Sequence, residues 1–206
     1  MKRFVLLAVA VVTLAACDAP PGAGARPSSV PSSVPSFAPP SGSPPPAVSE
    51  SGGYNDTDVM FLQMMSAQYG PAAELLKLAA ARSANTKVRD LAAAMDVTQA
   101  DELTAVQGWL RAWTKPLTPA ADPNLHAGHG GLPATGPDEV KALRDAPAAE
   151  FDKVFLNLLL GHQHQAIEYA RMELTSGVNP KVLEFATRVD SSRTAQVTMM
   201  LGMVSG

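Results

Sequence analysis

Residues 56 to 112 of this 206-residue chain return as residues 150 to 206 at a constant offset of 94. Asp58, Phe61, Leu62, Ala72, Glu74, Asn85, Lys87, Val88, Ala92, Asp96, Thr104 and Gly108 recur as Asp152, Phe155, Leu156, Ala166, Glu168, Asn179, Lys181, Val182, Ala186, Asp190, Thr198 and Gly202. No insertion or deletion separates the copies, so both keep the same helix lengths and the same internal connection. Each copy is therefore one supersecondary unit, and two such units bury their apolar faces against each other.

The start of the chain reads as an export signal, residues 1–17. Lys2 and Arg3 give a basic start, Phe4 to Ala16 an apolar run, and Leu14-Ala15-Ala16-Cys17 a small-residue ending. The run is shorter than the roughly 20 apolar residues that a spanning helix needs, so cleavage is expected. The ending resembles the lipobox of bacterial lipoproteins, whose cysteine is diacylated and becomes the mature N-terminus. Cys17 is the only cysteine, and lipidation explains its position at the cleavage boundary. An ordinary secretory signal with an incidental thiol would not. The expected location is thus the cell envelope, lipid-anchored on the extracytoplasmic face of the membrane.

Residues 18–53 are dominated by Pro, Ser, Gly and Ala. They cannot bury enough apolar surface to offset the entropy of ordering, and read as a disordered tether reaching as much as roughly 100 Å. Residues 54–206 have the size of one domain with a core. The formal net charge of −3 with both signs scattered gives no basic face for nucleic acid.

Within each repeat the apolar pattern has the period of a helix. Phe155, Leu159, His162, Ala166 and Tyr169 fall on one face, as do Phe61, Met65, Gln68, Ala72 and Leu75 in the first copy. Leu91, Met95, Glu102 and Val106 form the stripe of a second helix, answered by Phe185, Val189, Gln196 and Met200. Asn55 to Thr57 offer caps for the first helix, which runs to about Arg82. Asn85 and Asn179 are N-caps, with Pro180 at the first helical position. Gly177 suits a left-handed residue just past a helix end. Pro71 predicts a kink. The crossover, residues 113–149, carries repeated Pro and Gly from Lys115 to Pro137 and is expected to lack structure until a short helix opens at Pro137 and ends before Pro147. The fold class is all-α: a four-helix bundle of two repeated hairpins, 56–112 and 150–206, joined by that long crossover.

Asp-x-x-Phe-Leu, an apolar run, a His-bearing turn, Ala166-Ile167 and a Gln-x-x-Glu on the next helix resemble the bacterial family labelled domain of unknown function 305, over Tyr54 to Gly206. The resemblance implies a ferritin-like bundle, and some members are linked to copper handling in the envelope. Family members typically carry a His-His pair before Ala-Ile in each copy. Here those positions are Gln68-Tyr69 and His162-Gln163, so only His162 matches, with His164 two residues on. Gln99 and Glu102 keep the Gln-x-x-Glu, whereas the second copy has Arg193 and Gln196.

These residues admit two readings. In one, Gln68, Gln99, Arg193 and Gln196 form a satisfied polar layer in the core, with Arg193 paired to Glu102. In the other, His162 and Glu102 contribute to a metal site, against which a fixed guanidinium charge works. His164 cannot chelate the same ion as His162 within a regular helix, since residues two apart point roughly 200° from each other. His126 and His129 in the crossover are a second candidate pair, for copper or zinc, or else a solvated loop. The many methionines at helical spacing are core filler, with Cu(I) ligation as the alternative. No catalytic signature is present. The sequence reads as a non-catalytic extracytoplasmic binding protein handling a transition metal, copper by resemblance. The rival reading is a structural or interaction lipoprotein with a metal-free polar core and an envelope protein partner.

Overall fold

A computed structural model describes residues 52–129 and 131–204. The export signal, Cys17 and the tether as far as Ser51 lie outside the described residues. Four long helices make the body: α1 (Asp56–Arg82), α2 (Thr86–Ala112), α4 (Phe151–Ser176) and α5 (Pro180–Val204), with a short α3 (Pro137–Asp145) in the crossover. α1 packs on α2 and α4 on α5 as antiparallel hairpins, and α1 also packs along α4.

The helix starts follow from local chemistry. The Asn55 side chain accepts the Asp58 N–H at 3.0 Å, and the Asp58 carboxylate accepts the Asn55 N–H at 2.7 Å, a reciprocal cap. Asn85 accepts from Lys87 N, and Asn179 from both Lys181 N and Val182 N. α1 runs unbroken through Pro71. Gly177, expected in the left-handed region, is instead extended at φ −70° and ψ 159°. Glycine is required there by space: a Cβ would lie 2.8 Å from the Glu173 carbonyl oxygen and nearer still to the Glu173 carboxyl.

The repeat survives because its positions are core positions. Phe61 and Phe155, Val88 and Val182, and Ala92 and Ala186 are equivalent pairs with no exposed surface. Two apolar clusters result. One joins Phe61, Met65, Trp109, Phe185 and Val189, with Phe185 edge-on to Trp109 at 5.6 Å. The other joins Leu76, Leu91, Met95, Phe155, Leu159 and Met200. Among the described residues no helix is long and apolar enough to cross a membrane.

The crossover departs from the expectation of a structureless loop. It forms a 3-10 helix, Pro123–His129, and its later part is tied to α4: Gln165 donates to Leu132 O and accepts from Ala134 N, and Tyr169 donates to Gly131 O at 2.9 Å. α3 is fastened to the end of α1 by Arg82. Its guanidinium donates to the carbonyls of Leu143, Arg144 and Ala146 and lies 4.5 Å from the Phe151 ring centre.

Candidate functional site: a polar layer between two apolar cores

Between the two clusters each long helix contributes two adjacent or one-turn-spaced polar positions: Gln68 and Tyr69 from α1, Gln99 and Glu102 from α2, His162 and Gln163 from α4, Arg193 and Gln196 from α5. At the offset of 94 these are four equivalent pairs, so the layer is itself duplicated. One of its hydrogen bonds is also duplicated. Tyr69 Oη donates to Glu102 Oε2 at 2.9 Å, and the equivalent Gln163 Nε2 donates to Gln196 Oε1 at 2.5 Å.

None of the four pairs is identical, and a buried fixed charge enters where the first copy has Gln99 and the second Arg193. Arg193, 1% exposed, crosses from α5 to form an ion pair with Glu102 Oε2, as the sequence led us to expect. Burial works against the Arg193 charge, but Glu102 and Tyr69 outweigh it and raise its pKa. Burial raises the Tyr69 hydroxyl well above its usual value, and the nearby Glu102 carboxylate adds to the effect.

His162 occupies the position equivalent to Gln68. Burial, with a smaller push from the Arg193 charge, lowers its pKa to about 4, so the imidazole is neutral near pH 7. Its Nδ1 lies 3.1 Å from Thr135 Oγ1, a crossover residue. Burial also raises the Tyr169 hydroxyl to about 12. Neither Gln68 nor Gln99 has a hydrogen-bond partner for its amide oxygen or nitrogen, and Arg193 Nε and Gln163 Oε1 are also unpartnered. Such buried orphans cost roughly 1–3 kcal/mol each.

The named residues therefore fall into separate places. Gln68, Gln99, Glu102, His162, Arg193 and Gln196 share the layer, but Glu102 is committed to Arg193 and Tyr69. His126 is buried in the crossover, with Nε2 2.8 Å from Ala120 O. The His129 side chain lies outside the described residues. His164 is exposed. No group of three or more His, Cys, Asp or Glu suited to a metal ion occurs among the described residues. Sequence reasoning missed Thr135, which lies in a segment with no period at all. It named Tyr169 on the inward stripe and Tyr69 and Gln163 at the family's paired positions, without giving any of them a hydrogen-bonding role.

A duplicated helical hairpin closed around a buried polar layer defines the class, an all-α, ferritin-like four-helix bundle. The chain belongs to the family described as domain of unknown function (DUF305), whose model matches residues 58–204. It is similar in fold to a DUF305 fragment from Deinococcus radiodurans, with 22% identity, a TM-score of 0.64, and coverage of 73% of this chain and 97% of that one. A putative secreted DUF305 protein from Streptomyces coelicolor gives 20% identity, a TM-score of 0.64, and coverage of 72% and 91%. CopM in its Cu(II)-bound form gives 18% identity, a TM-score of 0.59, and coverage of 72% and 95%. No curated protein matches the chain.

Proposed function

We propose that this chain is a non-catalytic, lipid-anchored binding protein of the extracytoplasmic face that handles copper weakly and at low stoichiometry. Support for copper comes from the fold shared with CopM, a protein crystallised in Cu(II)-bound and Cu(I)-bound forms. The Arg193–Glu102 ion pair is the observation that carries weak binding and directs it away from the bundle interior. A guanidinium is charged at any accessible pH, so it repels a cation and occupies the layer's carboxylate. His162 is then left as a single imidazole, and one imidazole does not hold a copper ion tightly.

The proposed donors are the crossover histidines His126 and His129, with copper or zinc as the ions that suit them. The readout is titration of the mature chain with Cu(II) and Cu(I) at fixed pH. Binding is expected to fall in the His126→Ala/His129→Ala variant and to persist in His162→Ala. Abolition by His162→Ala alone would move the site into the bundle.

A second reading has its own observation. The Tyr69–Glu102–Arg193 chain and the Gln163–Gln196 bond fix the relative register of the helices, which is what a structural or partner-binding lipoprotein with a metal-free core needs. Absence of copper binding above background in every variant favours that reading. The anchor has a separate test: Cys17→Ala is expected to release the protein or leave its precursor uncleaved, and normal processing with membrane retention would refute it.

A further inference from the structure

At the end of the bundle where the chain enters α1, two acidic side chains that play no part in the polar layer are both fully buried. Asp58 on α1 and Glu173 on α4 have 0% exposure. Asp58 reaches across to the α4–α5 turn, accepting the Asn179 N–H at 2.9 Å and the Val178 N–H at 3.3 Å, besides the Asn55 N–H of its own cap. The same turn holds the entering chain. Asn179 Nδ2 donates to the carbonyls of Gly52 and Gly53, and Asn55 Nδ2 donates to Ser176 O.

Glu173 has the opposite environment. No donor reaches either of its carboxyl oxygens among the described residues, and its carboxyl folds back over Gly177, where no Cβ would fit. The charged group facing it is Asp58. The cations of the neighbouring segments are engaged elsewhere: Lys181 of α5 with Glu184, Arg171 of α4 with Asp190, and Lys115 beyond α2 on the Tyr54 ring. An ionised carboxylate with no donor beside a second carboxylate is untenable in a buried site. A proton on Glu173 converts the same contact into a carboxyl-to-carboxylate hydrogen bond. The fold itself does not demand an acid there, since the equivalent of Glu173 in the first copy is Ala79.

We propose that Asp58 and Glu173 form a proton-dependent latch: one proton shared by the pair holds the α4–α5 turn against the start of α1 and the tether junction, and its loss loosens that end of the bundle. Burial, with Asp58 adding to it, raises Glu173 to about 8. Its value in the unfolded chain is about 4.3. A carboxyl raised on folding gives stability that is fully present below the unfolded value and is lost as pH rises through about 8. The latch is therefore closed in mildly acidic surroundings and released in alkaline ones.

The test is amide hydrogen exchange at Val178 and Asn179 from pH 5 to 9, corrected for the intrinsic rate, in the mature wild-type protein and in Glu173→Gln. In wild type the local opening constant is expected to rise by as much as about tenfold per pH unit until it levels off near pH 8. In Glu173→Gln, which keeps a donor but cannot ionise, it should be flat. Equal pH dependence in the two proteins, or none in wild type, overturns the latch. Should the variant fail to fold, the wild-type Glu173 carboxyl resonance decides: a midpoint near 8 supports the latch and a midpoint near 4 overturns it.

Discussion

At Arg193 the second copy of the repeat carries a fixed buried charge where the first has the neutral Gln99. Deleting one member of a buried ion pair strands the other, so Arg193→Met or Glu102→Leu alone is expected to cost about 3 to 5 kcal/mol, and the double variant less than the sum. Urea unfolding of the three variants checks this, and strict additivity would mean the two side chains do not interact. His162 gives a pH signature of the opposite sign to that of Glu173. Its folded pKa of about 4 lies below the ordinary 6.5, so its stability is intact above about 6.5 and lost as pH falls to 4. The loss amounts to about 3 kcal/mol. Replacement by Gln, the residue of the first copy, should flatten that acid limb in denaturation measured between pH 4 and 7. Glu102 and His162 were legible in the sequence because helical period places them on inward faces, and Arg193 because it stands at the first position of the Gln-x-x-Glu that the family resemblance picked out. The role of Gly177 was not legible, because its need for glycine comes from the close approach of the Glu173 backbone carbonyl, with the Glu173 carboxyl also over it, and not from its own φ.

The elements were legible wherever a cap marked a start. Asn55, Asn85 and Asn179 each accept backbone N–H groups at a helix N-terminus, and the period between them supplies the rest. The two equivalent caps are not equal in consequence. Asn85→Ala is expected to cost about 1 kcal/mol, the usual value of a cap. Asn179→Ala should cost more, because the Asn179 amide also binds the carbonyls of Gly52 and Gly53. Thermal unfolding compares the two directly, and equal losses would mean that the entering chain contributes nothing. The crossover was the element least legible. Its order comes from backbone carbonyls and amides meeting Gln165 and Tyr169, more than 30 residues away. Prolines and glycines conceal such an arrangement, since no side-chain period accompanies it.

Across the whole molecule, duplication supplies an apolar scaffold and the polar layer records what has changed since. The equivalent phenylalanines, valines and alanines remain buried in both halves, whereas the four equivalent polar pairs have drifted to different side chains. A bundle interior that contains a guanidinium is poorly suited to a cation, so the copper binding proposed above is expected only as weak binding outside the core. The most direct measurement is copper affinity and stoichiometry for the untagged mature chain, titrated with Cu(I) and Cu(II) beside His126→Ala/His129→Ala and His162→Ala. The expected result is weak binding of low stoichiometry that the crossover double variant loses and His162→Ala retains. Tight binding that His162→Ala alone abolishes would contradict the account.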